Sequence, residues 1–116
     1  MSLETLRKIG ISDGEIRVYS ALLDIGSGSV NMIHEKVGIE RRNTYDILNK
    51  LIEKGFVSYS IENRKRTFQV SNPKRIIGYL EEKKSGIEMI RAEVEKNIPA
   101  LMAKFNESKP KISAEI

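Results

Sequence analysis

Four polar residues fall within about one helical turn of one another, Arg41, Arg42, Asn43 and Tyr45, and their types suit the edges of bases and the oxygens of phosphates. A guanidinium presents a planar fork of donors that matches guanine or phosphate, and a carboxamide matches adenine. A phenol offers a hydroxyl and an aromatic face to a phosphate or a thymine methyl, although Tyr45 equally suits packing over the base of the hairpin that follows this helix. Lys50, one to two turns further along, is spaced to touch phosphate rather than base. A second group, Arg64, Lys65 and Arg66, puts three cations in a row, suited to phosphates or to a narrow minor groove. Either group alone also fits a solvated face. Their meaning depends on the elements that carry them.

The charge distribution points the same way. The chain of 116 residues has a formal net charge of +4. Residues 62–75 hold Arg64, Lys65, Arg66, Lys74 and Arg75 against Glu62 alone, a surplus as large as that of the whole chain. A local basic patch on a balanced chain implies a polyanionic partner. With 40% hydrophobic and 31% charged residues, the chain supports one domain with a modest core plus an extension. Zero cysteines exclude disulfides, thiolate metal sites and Cys nucleophiles, and the single histidine, His34, cannot build a multi-histidine metal site. No nucleophile is paired with a base, so the expectation is no catalytic residue, no metal, no cofactor and no enzyme. No run reaches membrane-spanning length, and "MSLETLRKIG" lacks an apolar signal core, which predicts a cytoplasmic protein without a membrane partner.

Several elements are readable from caps and periods. Ser2 can cap a short helix with Leu3, Leu6 and Ile9 on one face, ended by Gly10. In "SDGEIRVYSALLDIG", Ser12 and Glu15 have capping-box spacing, and Ile16, Tyr19, Leu22 and Leu23 repeat at helical intervals up to Gly26. "GSGS" lacks the lysine and preceding strand of a phosphate-binding loop and reads as a plain connection. "VNMIHEKV" is a short helix with Val30, Ile33 and Val37 inward, closed by Gly38. A third helix starts near Glu40 or Arg41; Thr44, Leu48 and Leu51 form its buried stripe with Ile47 or Ile52, and Gly55 followed by Phe56 closes it. "FVSYSI" and "TFQV" alternate as two strands around "ENRKR", a hairpin with a basic tip.

Asn72 and Pro73 then open a long helix as cap and first-turn proline. In it Leu80, Ile87, Val94 and Leu101 recur every seven residues, with Ile90, Ile98 and Phe105 between them. Lys83 and Lys84 leave the second position of the first heptad polar, so the seam is expected to begin near Ile87, and Pro99 is expected to kink the helix or start a new segment. From Leu80 to Phe105 a continuous helix runs ~39 Å at 1.5 Å per residue. So long a stripe is more than one small domain can cover, and a second copy is the natural cover.

Three helices followed by a two-stranded hairpin is the element order of a winged helix-turn-helix domain, mainly α with a small β-hairpin. The expected layout is residues 1–75 as that domain, 76–108 as a dimerising coiled-coil-like helix, and 109–116 as a linker or fragment end. In such a domain the third helix enters the major groove and the hairpin lies over flanking backbone or minor groove. The stretches "LRKIGISDGEIRVYSALLDIGSGSV", "GIERRNTYDILNKLIEKGFV" and "NPKRIIGYLEEKK" resemble the N-terminal domain of the TrmB family of transcriptional regulators over nearly the whole chain.

The resemblance implies a homodimeric DNA-binding regulator acting at promoters. In it, Arg41, Arg42, Asn43, Thr44 and Tyr45 correspond to the start of the recognition helix, and Arg64, Lys65 and Arg66 to the wing. Many members continue into a sugar-binding effector domain, whereas this sequence ends about where that domain would begin, as an excised fragment or a short member. A small-molecule effector is therefore not supported by the residues present. The expectation is a homodimer, joined through Leu80, Ile87, Ile90, Val94, Ile98, Leu101 and Phe105, on pseudo-palindromic double-stranded DNA. The rival is a winged-helix module that docks onto proteins in a larger transcription assembly.

Overall fold

The computed structural model describes residues 2–108 and divides after Tyr79 into two units, each taken by itself below. The reading of 109–116 as a linker lies outside the described residues. In the first unit the order is a 3-10 helix Glu4–Ile9, α1 Asp13–Ile25, β1 Ser27–Gly28, α2 Val30–Val37, α3 Arg41–Glu53, β2 Val57–Glu62 and β3 Lys65–Val70. The fold is that of a winged helix, as the sequence predicts.

Local chemistry explains the boundaries. Ser12 and Glu15 form both halves of the capping box at the start of α1, and the Ser29 hydroxyl accepts the Met32 N–H at the start of α2. α3 ends in a left-handed residue at Gly55 (φ 81°), which returns the Phe56 N–H to the Leu51 carbonyl at 2.9 Å and drives the Phe56 ring into the core. That turn aims β2 back along the helices.

Val18, Leu22, Ile33, Leu48 and Leu51 are fully buried where α1, α2 and α3 meet, and Phe56, Val57 and Phe68 bring the sheet onto them. Tyr19 and Tyr79 pack edgewise on Phe56 from either side, with centroids at 6.2 and 5.1 Å. Burying such side chains stabilises a fold by about 1.5–3 kcal/mol each relative to exposure.

One part-buried ion pair joins α1 to α3. The Lys54 ammonium at the end of α3 lies 2.7 Å from Glu15 Oε2 at the start of α1, on a carboxylate whose side chain is 5% exposed. Burial by itself would raise the Glu15 carboxyl, but the hydrogen bonds from Lys54 and Ser12 outweigh it and hold the group below its ordinary value.

The expected short first helix is a 3-10 helix, with the Ser2 hydroxyl accepting the Glu4 N–H. Three expectations are corrected. "GSGS" is not only a connection: Ser27 and Gly28 pair antiparallel with Gln69 and Phe68, giving a three-stranded sheet in the order β1-β3-β2. A Cβ on Gly28 would sit 2.9 Å from Ile25 Cδ1, so a side chain there would require the end of Ile25 to shift. Leu23 faces outward, and Val18 and Ala21 join Tyr19 and Leu22 in the core. Finally, β2 is shifted one residue toward the tip and β3 starts two residues earlier than the alternation suggests, so the turn contains only Asn63 and Arg64.

The last helix, α4, spans Arg75–Ser108 after a turn in which Asn72 Oδ1 accepts the Lys74 N–H. Pro99 lies inside it and does not start a new segment. Ile76 and Tyr79 pack on the core of the first unit. In the second unit, from Leu80 onward, no described residue is buried.

Candidate nucleic-acid interface

The N-terminal half of α3 and the β2–β3 hairpin carry the candidate side chains. Thr44, Leu48 and Leu51 hold the inner face of α3, so its opposite face turns outward with Arg41, Arg42, Asn43, Asp46 and Lys50 exposed. Arg41 does not swing freely, because its Nε donates to Asn31 Oδ1 on α2 at 2.7 Å. The main sequence signal for Asn31 is its outward place on a two-turn helix. Thr44 is corrected as an interface residue. It is fully buried, and its hydroxyl donates to the Ile39 carbonyl at 3.1 Å, which fixes the chain entering α3 and leaves nothing to offer a ligand.

The hairpin tip is tight. Asn63 and Arg64 both have positive φ, 50° and 65°, as in the two-residue turns that match the twist of paired strands. Asn tolerates this backbone, whereas Arg rarely adopts it. Lys65 is not in the turn but is the first residue of β3, opposite Glu62. Arg64 and Lys65 are exposed.

Arg66 departs most from the sequence reading. Its pairing with Ile61 puts it on the strand face that also carries Tyr59 and Phe68, and it is half-buried. The guanidinium carbon lies 4.5 Å from the Tyr59 ring centroid and 5.7 Å from that of Tyr45. Arg66 therefore bridges β2 and α3. The sequence places Tyr59 in a strand and gives it no interface role.

The positions expected to form a dimer seam lie on α4. Ile87 (64% exposed), Ile90, Val94, Ile98, Leu101 and Phe105 are open to solvent, while Leu80 is half-buried. Among the described residues no helix is long and apolar enough to cross a membrane.

Comparison with known proteins follows from this arrangement. An HTH-type sugar-sensing transcriptional regulator, TrmBL1 of Pyrococcus furiosus, is 28% identical over 105 residues, covering 90% of this chain and 28% of the relative. The chain thus spans little more than a quarter of that protein. Among solved structures, TrmBL2, described as an archaeal chromatin protein with a novel mode of DNA binding, superposes with a TM-score of 0.71 at 16% identity, over 97% of this chain and 44% of its own. A possible transcriptional regulator from Methanosarcina mazei gives 0.63 at 12% identity, over 83% of this chain and 88% of its own. These likenesses establish the winged-helix fold. Residues 6–74, more than half of the chain, match the family described as sugar-specific transcriptional regulator TrmB. With its capped helices, buried α3 stripe and basic hairpin all inside the matched span, the chain belongs to the TrmB family, a family of transcriptional regulators and not of enzymes.

Proposed function

We propose that the chain is a cytoplasmic, sequence-specific DNA-binding module, with residues 1–75 as the binding domain and 76–108 as the element that dimerises it. α3 enters the major groove, and the β2–β3 hairpin lies over the adjoining backbone or minor groove. Arg41, Arg42, Asn43 and Tyr45 read base edges or nearby phosphates; Lys50, Arg64 and Lys65 contact the backbone. The observation that carries this reading is the bridge made by Arg66. Contact with Tyr45 and Tyr59 brings the first turns of α3 and the basic hairpin together, so one duplex can meet both.

The exposed stripe of α4 supports a homodimer. Ile87, Ile90, Val94, Ile98, Leu101 and Phe105 follow heptad spacing and find no cover in their own unit. Such a dimer presents two copies of α3 to a pseudo-palindromic promoter site whose half-sites lie about 34 Å apart, one turn of duplex.

Selection from a pool of random duplexes at two salt concentrations, together with the solution mass, tests this directly. A symmetric motif enriched by a dimer is the expected result. If about six phosphates meet Arg or Lys, log affinity falls against log salt with a slope of roughly −5. Absence of binding at both salts would overturn the reading in favour of a protein-docking module.

A further inference from the structure

Five cations among the described residues each meet an acceptor on their own chain. Arg7 meets Glu4 and Asp13, Arg17 meets the Val37 carbonyl, Arg41 meets Asn31, Lys54 meets Glu15 and Arg91 meets Glu95. Arg66 is different: among the described residues its contacts are with two aromatic rings, not with acceptors.

We propose that Arg66 is a positioning residue that locks the wing to the recognition helix through the Tyr45–Arg66–Tyr59 bridge, so that α3 and the hairpin engage DNA as one rigid body. The inference rests on the DNA-binding reading above and deepens it. Tyr45 belongs to α3 and Tyr59 to β2, and the hairpin has no other described side-chain hydrogen bond or ion pair to α3. Contact with the rings engages no acceptor, so the N–H groups of the guanidinium remain for phosphate oxygens. A lysine at this position keeps the charge but loses the plane. If the bridge sets the angle between hairpin and helix, phosphate contact by Arg64 and Lys65 also fixes how Arg42 and Asn43 meet the bases. Sequence choice then depends on a residue that reads no base.

Two measurements on the full chain test this and separate it from the DNA-binding reading. The first needs no DNA. Backbone amide exchange across Val57–Glu62 and Lys65–Val70 is compared in wild type, Tyr45→Leu, Tyr45→Phe and Arg66→Lys. Tyr45→Leu lies outside the hairpin, yet it is expected to speed hairpin exchange several-fold while amides in the second half of α3 keep their protection. Tyr45→Phe keeps the ring and is expected to match wild type. Unchanged hairpin exchange in Tyr45→Leu, or equal loss in Tyr45→Phe, overturns the bridge. Should Tyr45→Leu fail to fold, Arg66→Lys decides the same point.

The second measurement compares affinity for the duplex enriched from the random pool with affinity for a scrambled duplex of the same length. Arg66→Lys is expected to lower that ratio by up to roughly thirtyfold, the upper end of the roughly twofold to thirtyfold range of one cation–π contact, with the salt slope unchanged. An unchanged ratio shows that Arg66 acts only as a charge and overturns the proposal. If wild type binds neither duplex while Tyr45→Leu still loosens the hairpin, the DNA-binding reading fails and the coupling stands.

Discussion

The unit ending at Tyr79 and the helix beyond it handle apolar side chains in opposite ways. In the first, Leu22, Leu48, Leu51, Phe56 and Phe68 vanish from solvent; in the second, Ile87, Ile90, Val94, Leu101 and Phe105 stay in it. Sequence periodicity is similar in both, so a stripe of hydrophobes does not by itself say what it packs against. The first stripe has partners supplied by its own chain. The second stays uncovered within its own unit, and its stability is tied to concentration by mass action under the proposed dimer.

The strongest way to sharpen this contrast is to cut into the covered stripe. Leu48→Ala, at a fully buried site, is expected to cost about 2–5 kcal/mol of unfolding free energy in urea titrations, independent of protein concentration. Next comes the part-buried pair. Glu15→Gln leaves Lys54 without its carboxylate and is expected to cost about 1–3 kcal/mol near neutral pH. The sign with pH follows from the lowered Glu15 carboxyl: its stabilisation is present above the unfolded-state value of about 4.3 and is lost as pH falls through the lower folded value. Wild type and Glu15→Gln should therefore converge in melting temperature as the pH is taken below that range. A gap that widened there would contradict the assignment.

A smaller effect, of opposite sign, is expected at the hairpin tip. Arg64→Gly relieves a positive φ and should leave the fold as stable or up to about 1 kcal/mol more stable, while weakening DNA binding. Thermal melts and a binding titration on the same samples separate the two. The smallest change is predicted on the exposed helix. Ile90→Asp should shift melting of the first unit by no more than about 0.5 kcal/mol, yet abolish any concentration dependence of α4 helicity and lower the solution mass to that of a monomer. If Ile90→Asp instead destabilises the first unit as much as Leu48→Ala does, the contrast between the two regions collapses.

What could be read in the sequence follows from how local each signal is. The capping box at Ser12 and Glu15, the glycine ends of α2 and α3 and the heptads of α4 are written in neighbouring residues, and each corresponds to an element. β1 escaped because two residues cannot display an alternation, and its strand character comes wholly from pairing with β3. Lys65 and Arg66 read as turn because consecutive cations are poor strand formers and the real turn contains no glycine. Thr44 carried two readings, buried stripe and DNA contact, and burial decided for the first. The fate of Arg66 depended on where Tyr45 and Tyr59 arrive in space, which no spacing along the chain encodes.

The pairing of Ser27 with Gln69 also bears on how the chain reaches its fold. It joins residues roughly forty positions apart through two residues only, so closing that loop costs entropy before it returns much contact. The three helices and the β2–β3 hairpin can each form from nearer neighbours. β1 is then expected to pair late, and a substitution such as Gly28→Val, where a side chain meets the end of Ile25, should register first as faster unfolding rather than slower folding in stopped-flow measurements.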